Sequence, residues 1–175
     1  MSSASGGSAP AIVEDVFLTN GFLVKGRLSN KYRRLTTMLD HADGSFLSIH
    51  DVTMVALRGH EVIRTPSLKM NPNEIIFAHE LLELSGDTAM RVLAQSEKTV
   101  HIRAFYNGSV HIELAGKVAP RAYDPGHNGG RPYFIMQRPQ VRGLNLKGND
   151  ELRVLDGLEY ITIRKDRLAY IYDFG

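Results

Sequence analysis

The chain of 175 residues contains no cysteine. This absence excludes disulfide bonds, thiolate catalysis and any zinc site built on cysteine, and it fits a reducing compartment, so we expect a cytoplasmic protein. No run of apolar residues approaches the roughly 18–20 that a membrane-spanning helix needs, so we expect no membrane partner. The net charge of +2 does not by itself indicate a nucleic-acid-binding protein, because such proteins usually carry a clustered basic excess.

Sequence motifs of catalysis are missing as well. There is no Gly-x-Ser-x-Gly and no His-Glu-x-x-His, and no nucleophile stands beside an evident base. His101 and His111 are expected on one exposed strand face. The predicted pairing sets His111 opposite Arg103 and places Glu113 opposite the other histidine, and a cationic neighbour disfavours a divalent metal. We therefore predict no enzymatic activity, no metal, no cofactor and no small-molecule substrate.

What the sequence does contain is an internal repeat. Asn20-Gly21 and Asn107-Gly108 each separate two apolar segments, and they lie 87 residues apart. At the same offset Ser45–Leu57 matches Pro132–Leu144. The order of these blocks predicts a tandem duplication.

The ends of the two copies match at a different offset. Ile75 corresponds to Leu168 and Phe77 to Tyr170, which are 93 residues apart. One insertion, around Asn145–Asp150, reconciles the two offsets.

The repeated segments are typical of β-strands, since "VHIRAF" and "SVHIEL" alternate apolar and polar residues. A three-residue loop at 106–108 keeps the apolar residues on one face, so the pattern predicts that Ala104 pairs with Val110. The same register in the first hairpin pairs Leu18 with Phe22.

These observations predict a mainly β fold, with two tandem small five-stranded barrels joined by a short helical connector. Residues 1–10 are small and polar, lack the layout of a secretory signal and are expected to form a disordered tail. Residues 11–80 are predicted to form the first barrel and residues 99–175 the second. Residues 81–98 are the predicted connector, with a short helix capped by Asp87.

Both predicted barrels resemble the Sm-like small barrel, the fold of Sm, LSm and Hfq proteins, which is close to SH3-like barrels. The string "VFLTNGFLVKGRL" resembles the first motif of that family. "IRKDRLAYI", residues Ile163–Ile171, resembles its second motif, and "MNPNEIIFA" does so more loosely. The resemblance implies strand edges that pair with a neighbouring barrel.

The residues with which that family binds RNA are not retained. The family places an Asp-x-x-x-Asn pair after its second strand, whereas Ser29–Leu39 contains no aspartate. The Arg-Gly of its second motif is replaced by Arg164-Lys165 in one copy and by Asn71-Pro72 in the other. The resemblance therefore implies the fold, and RNA binding does not follow from it.

A basic segment, "KGRLSNKYRR", gives the strongest local signal for a binding site. Clustered cations beside an aromatic ring suit a phosphate backbone and a stacked base, and they also suit an acidic protein surface. A solvated hairpin end is the third interpretation. The candidate residues of this basic segment are Lys25, Arg27, Lys31, Tyr32, Arg33 and Arg34.

The alternating aromatic residues near residue 170 are the second candidate site. They are typical of a strand edge that pairs with a partner or with another copy, and equally of a barrel core. We predict a non-enzymatic protein-interaction or assembly module, a scaffold that forms oligomers, with RNA binding through the basic segment as the alternative. The glycine-rich Asp124–Pro132 is expected to be a mobile surface loop. The candidate edge residues are Tyr170, Ile171, Tyr172 and Phe174.

Overall fold

Ten antiparallel β-strands dominate the computed structural model, which describes residues 14–29, 35–40, 42, 44–81, 98–108 and 110–174. The predicted mainly β class is confirmed. The strands are β1 (Asp15–Thr19), β2 (Phe22–Leu28), β3 (Leu47–Ala56), β4 (Val62–Met70), β5 (Ile75–Glu80), β6 (Val100–Asn107), β7 (His111–Val118), β8 (Tyr133–Arg142), β9 (Tyr160–Arg164) and β10 (Tyr170–Asp173).

All ten strands belong to one open sheet, in the order β10-β6-β7-β8-β9-β5-β1-β2-β3-β4. The expected closure into two separate barrels is not found. Closure would require each half to pair its fourth strand with its own fifth strand. Instead, β9 of the second half pairs with β5 of the first, which leaves β4 and β10 at the two ends of the sheet.

The two halves of the sheet have the same strand order, and their first and fifth strands pair in the same register. The first half runs β5-β1-β2-β3-β4, and the second runs β10-β6-β7-β8-β9. Leu18 of β1 pairs with Phe77 of β5, and Phe105 of β6 pairs with Tyr170 of β10. Leu18 and its counterpart Phe105 are 87 residues apart, and Phe77 and its counterpart Tyr170 are 93 apart, which are the two offsets that the sequence indicates.

Each half also contains a β-bulge at the same place, between its second and third strands. The register shifts at Gly26 in β2 and at Gly116 in β7. Opposite them, Asp51 and Arg138 have positive φ values of 51° and 46°. A Cβ on either glycine would lie 2.8 or 2.7 Å from a carbonyl oxygen of the facing strand, so the bulge needs glycine there.

The predicted hairpin registers are wrong, although the faces of the second hairpin are as expected. Leu18 pairs with Leu23, so the first hairpin turns in two residues, whereas Ala104 pairs with Leu114 in the second. The first prediction failed because β1 is buried on both faces and its alternation therefore carries little information. In the second hairpin Asn107 pairs with His111, so the turn lies further along the chain than predicted, and Ala104 and Ile112 are buried.

The predicted insertion lies between β8 and β9, where residues 143–159 form the β8–β9 connection. It contains the 3₁₀ helices Leu146–Gly148 and Asp150–Leu155. Leu152 and Leu155 are buried in one hydrophobic cluster with Leu18 of the first half. The connection therefore covers the first half of the sheet and joins the two halves into a continuous core.

A short helix, α1 (Leu35–Asp40), follows β2 and was not predicted from the sequence. Its Leu35 and Leu39 are buried in the core of the first half. The predicted tail and the predicted connector helix at Asp87 lie outside the described residues, as do residues 30–34. In the described part of the chain, no helix is long and apolar enough to span a membrane.

Candidate interaction surface at the sheet edges

Four large apolar side chains are exposed on the edge strand β10 and on the residue that follows it, and we call these four residues the β10 edge. On one side β10 pairs with β6, and Phe174 donates its N–H to the carbonyl oxygen of His101 at 3.0 Å. On the other side no strand of the described chain pairs with it. The β10 edge consists of Tyr170 (65% exposed), Ile171 (36%), Tyr172 (59%) and Phe174 (53%).

The exposure of the β10 edge excludes the core interpretation of these aromatic residues. Tyr172 and Phe174 pack edge to face, with ring centroids 4.7 Å apart. His101 contacts Phe174 at a centroid distance of 5.6 Å. Such a contiguous apolar edge on a sheet is a typical site for strand pairing.

The corresponding strand of the first half, β5, is covered. Phe77 takes the position of Tyr170 and is completely buried. It pairs with Ile163 of β9, and the next residue, Ala78, pairs with Thr162. The chain therefore already contains one contact between the fourth strand of one half and the fifth strand of the other.

Arg164, at the end of β9, holds this internal contact in place. Its guanidinium donates to the carbonyl oxygen of Pro72 at 2.7 Å and to Oδ1 of Asn73 at 3.0 Å, just before β5. It also forms an ion pair with Asp166 at 2.6 Å. The Arg164 side chain is only 15% exposed, and its bond to the carbonyl oxygen of Pro72 is partly buried.

An ion-pair network lies beside the β10 edge, on β6, β7 and the end of β8. Arg103 donates to Glu113 at 2.6 Å, and Arg142 donates to the same carboxylate at 3.2 Å. The hydrogen bond from Arg103 lowers the pKa of Glu113. Arg103 also lies over the ring of Phe105, 5.6 Å from its centroid. The network leaves Arg103 and Glu113 on the exposed face, as expected, although not in the predicted register.

The end of β10 is fixed by a hydrogen bond from the Tyr123 hydroxyl to Oδ2 of Asp173. This bond is the main reason that the pKa of Tyr123 is raised to about 12. In the first half, Glu80 stands at the position of Asp173 and accepts a hydrogen bond from the backbone N–H of Leu35 at 2.6 Å. In both halves an acid at the end of the fifth strand holds the segment that connects the second and third strands.

The other end of the sheet is β4, whose residues are mostly exposed or half-buried. It carries Arg64 and Lys69 and no acid. Met70 at its end is buried, and Leu68 packs against the core of the first half. Pro66 interrupts the row of backbone donors, as is common in edge strands.

The basic segment is partly neutralised where the structure describes it. Lys25 forms an ion pair with Glu151 of the β8–β9 connection, and Arg27 forms one with Asp51. Lys25 is also shielded, because its side chain is 16% exposed. Lys31, Tyr32, Arg33 and Arg34 lie outside the described residues, so binding through them stays a prediction.

The remaining candidates do not assemble into a site. His101 pairs with Lys117 across the strands and His111 with Asn107, so the predicted partners are wrong. Within the described ranges, no group of three or more His, Asp or Glu residues is placed to hold a metal ion. Lys165 donates to the carbonyl oxygen of Asp124 at 3.0 Å, which ties the glycine-rich loop to the turn before β10.

Comparisons with known protein families, with curated proteins and with solved structures find no match to this chain.

The sequence marked the residues of the β10 edge as a strand edge or a barrel core. It indicated neither which strands form the internal contact nor that Arg164 takes part in it. The only available signal was the replacement of Arg-Gly by Arg164-Lys165, which was interpreted as the loss of an RNA contact. In the structure this arginine binds the turn before β5. A polar residue at the end of a strand gives no indication of which neighbour it will reach.

Proposed function

We propose that this chain is a non-enzymatic protein-interaction or assembly module that binds a partner strand along the β10 edge. The observation that supports this proposal most strongly is the exposure of Tyr170 at the position where Phe77 is buried under β9. The module consists of two Sm-like units of five strands, each opened by pairing with the other. Their common strand order and common bulge support this architecture.

The backbone of β10 is oriented for strand addition. Phe174 donates its N–H inward to β6, and successive N–H groups alternate along a strand. The N–H groups of Ile171 and Asp173 therefore point outward. An added strand gains main-chain hydrogen bonds from this row, while the aromatic side chains select which strand is accepted.

Affinity purification from the native cell, with the protein as bait, tests the proposal. Tyr170→Asp places a charge in the β10 edge, and Phe46→Asp is the matched control, because Phe46 is equally exposed (64%) but lies in the loop before β3. We expect a set of proteins that is retained by the wild type and by the control but lost with Tyr170→Asp.

A nuclease arm separates this proposal from RNA binding. We expect the retained proteins to survive nuclease treatment. If retention disappears with nuclease and does not respond to Tyr170→Asp, the proposal is wrong, and the basic segment becomes the site to test. Binding to nucleic acid would then fall steeply with salt and with charge reversal at Arg33 and Arg34.

A further inference from the structure

The two end strands of the sheet, β4 and β10, are equivalent to two strands, β9 and β5, that already pair with each other inside the chain. Inside the chain, the fourth strand of the second half, β9, pairs with the fifth strand of the first half, β5. The fourth strand of the first half, β4, and the fifth strand of the second half, β10, are left over. We propose that β10 pairs with β4 of a second copy, so that copies join head to tail. This inference rests on the proposed function, because it names the partner of the β10 edge.

The internal contact fixes the register of the proposed one. Ile163 of β9 lies opposite Phe134 of β8, and Met70 of β4 lies opposite Leu47 of β3. Phe134 and Leu47 are equivalent at the offset of 87 residues, so Met70 is the counterpart of Ile163. Because Ile163 pairs with Phe77, Met70 should pair with Tyr170, which is the counterpart of Phe77. The proposed pairs are Tyr170 with Met70, Ile171 with Lys69 and Tyr172 with Leu68 of the second copy.

The side chains of the two edges are compatible in this register. Residues two apart on a strand share a face, so Tyr170 and Tyr172 lie against Met70 and Leu68 of the second copy. On the opposite face, Lys69 of one copy lies diagonally across from Asp173 of the other. The ladder ends before Pro66, which has no N–H to donate.

The contact between copies should be weaker than the internal one. The internal contact is supported by the long β8–β9 connection, which buries Leu152 and Leu155 against the first half. The corresponding connection between β3 and β4 spans only residues 57–61. We therefore expect association that is reversible and depends on concentration. A head-to-tail contact of this kind forms a ring if it closes and a filament if it does not.

Sedimentation velocity over a concentration series tests self-association with the full chain. Tyr172→Asp disables the β10 side, and Lys69→Glu disables the β4 side by placing a carboxylate near Asp173. We expect each variant to associate at least about tenfold more weakly than the wild type, as for loss of a central interface residue. Lys117→Glu on β7 is the matched control, because it is an exposed charge reversal on a strand that is not at either end of the sheet, and it should behave as the wild type does.

Mixing the two disabled variants gives a sharper result. The Tyr172→Asp chain keeps an intact β4 edge, and the Lys69→Glu chain keeps an intact β10 edge. We expect the mixture to form a 1:1 dimer and nothing larger, while each variant alone stays monomeric.

Disulfide trapping tests the register. Because the chain has no native cysteine, only the introduced cysteines can form a disulfide. Paired residues on antiparallel strands have Cα atoms about 4.5–5.5 Å apart, within the range of a disulfide. A chain with Ile171→Cys should cross-link to one with Lys69→Cys on mild oxidation, and much less to one with Arg64→Cys.

A wild type that remains monomeric throughout, or equal cross-linking at Arg64, overturns the head-to-tail pairing. The proposed function would still stand if other proteins were retained in a Tyr170-dependent manner. If those proteins were also absent, both proposals would fail. Self-association that is unaffected by Tyr172→Asp would likewise exclude the β10 edge as its site.

Discussion

The strands β5 and β10 occupy the same position in the two halves of the sheet, and their surroundings differ completely. Phe77 of β5 is fully buried, whereas Tyr170 of β10 is 65% exposed. Both pair with the first strand of their own half in the same register. The difference arises on the other side, where β9 covers β5 and no described strand covers β10.

This comparison shows that the same strand serves as core or as edge according to its neighbour. On the other face of β5, Ala78 packs in the core of the first half, while its counterpart Ile171 is the least exposed residue of the β10 edge. The inward faces of the two strands are thus similar, and the outward faces differ. Surface that is buried inside the chain in one half is available for an interaction in the other.

The largest expected effect is the difference in unfolding free energy between two variants that each remove the aromatic ring at the equivalent position of β5 and β10. Phe77→Ala leaves a cavity between the halves and should lower the free energy of unfolding by about 3–5 kcal/mol. Tyr170→Ala removes a ring that lies mostly in solvent and should change it by no more than about 0.5 kcal/mol. Urea denaturation of both variants measures the difference.

Self-association must be kept out of this measurement, so the unfolding curves are recorded at the lowest protein concentration that gives a signal. Equal losses for the two variants would mean that β10 is as well covered in solution as β5.

Substitution of the bulge glycines should have the next largest effect on the unfolding free energy, and the loss should be similar in the two halves. Gly26→Ala and Gly116→Ala place a Cβ 2.8 or 2.7 Å from a carbonyl oxygen of the facing strand. We expect each to cost about 1–3 kcal/mol of unfolding free energy, as overpacking usually does. The control is Gly21→Ala, where no atom lies within 4 Å of the added Cβ. A loss in only one half would show that the bulges are not equivalent.

The sequence allowed the repeat to be found because the hydrogen-bond register of a sheet restricts where apolar residues can stand. Ile75, Phe77 and their counterparts keep one spacing across β5 and β10. Register within a hairpin was harder to predict. Asp15 and Thr19 share one face of β1 and suggest an exposed side, but the whole strand Asp15–Thr19 is buried.

The exposure of the β10 edge could not be predicted from the sequence, because Tyr170, Tyr172 and Phe174 alternate as core residues do. The open sheet was missed for a related reason. The string "IIFAH" in β5 is apolar enough to close a barrel or to accept a strand from the other half. Which of these occurs depends on the burial gained by the β8–β9 connection, which is a tertiary effect.

A smaller effect is expected at Arg164, which is present at the internal contact and absent from β4, where Asn71 follows Met70. Arg164→Met keeps much of the apolar stem but removes the bonds to Pro72 and Asn73. We expect a loss of about 1–1.5 kcal/mol in unfolding free energy, measured by urea denaturation. Arg153→Met is the control, because its side chain is 64% exposed and its ion pair with Asp150 should contribute at most about 0.5 kcal/mol. No difference between the two variants would mean that Arg164 does not support the internal contact.

The smallest expected effect concerns the acids at the ends of β5 and β10. Asp173 accepts a hydrogen bond from the Tyr123 hydroxyl, whereas Glu80 accepts one from a backbone N–H that does not titrate. The bond raises the pKa of Tyr123 from its ordinary value of 10 to about 12. A folded-state pKa above the unfolded one means that the stabilisation is fully present below about pH 10 and is lost as the pH rises through about 12.

Titration of tyrosine absorbance should therefore contain a late step near pH 12 whose amplitude falls by one group in Tyr123→Phe. Burial also raises the pKa of Tyr133, so the test is the loss of one group from the late step. Tyr172→Phe, which removes an exposed hydroxyl next to Asp173 on β10, is the control and should leave the late step in place. A late step that keeps its full amplitude in Tyr123→Phe would mean that the pKa of Tyr123 is not raised, and Asp173 would then not hold its connecting segment as Glu80 holds α1.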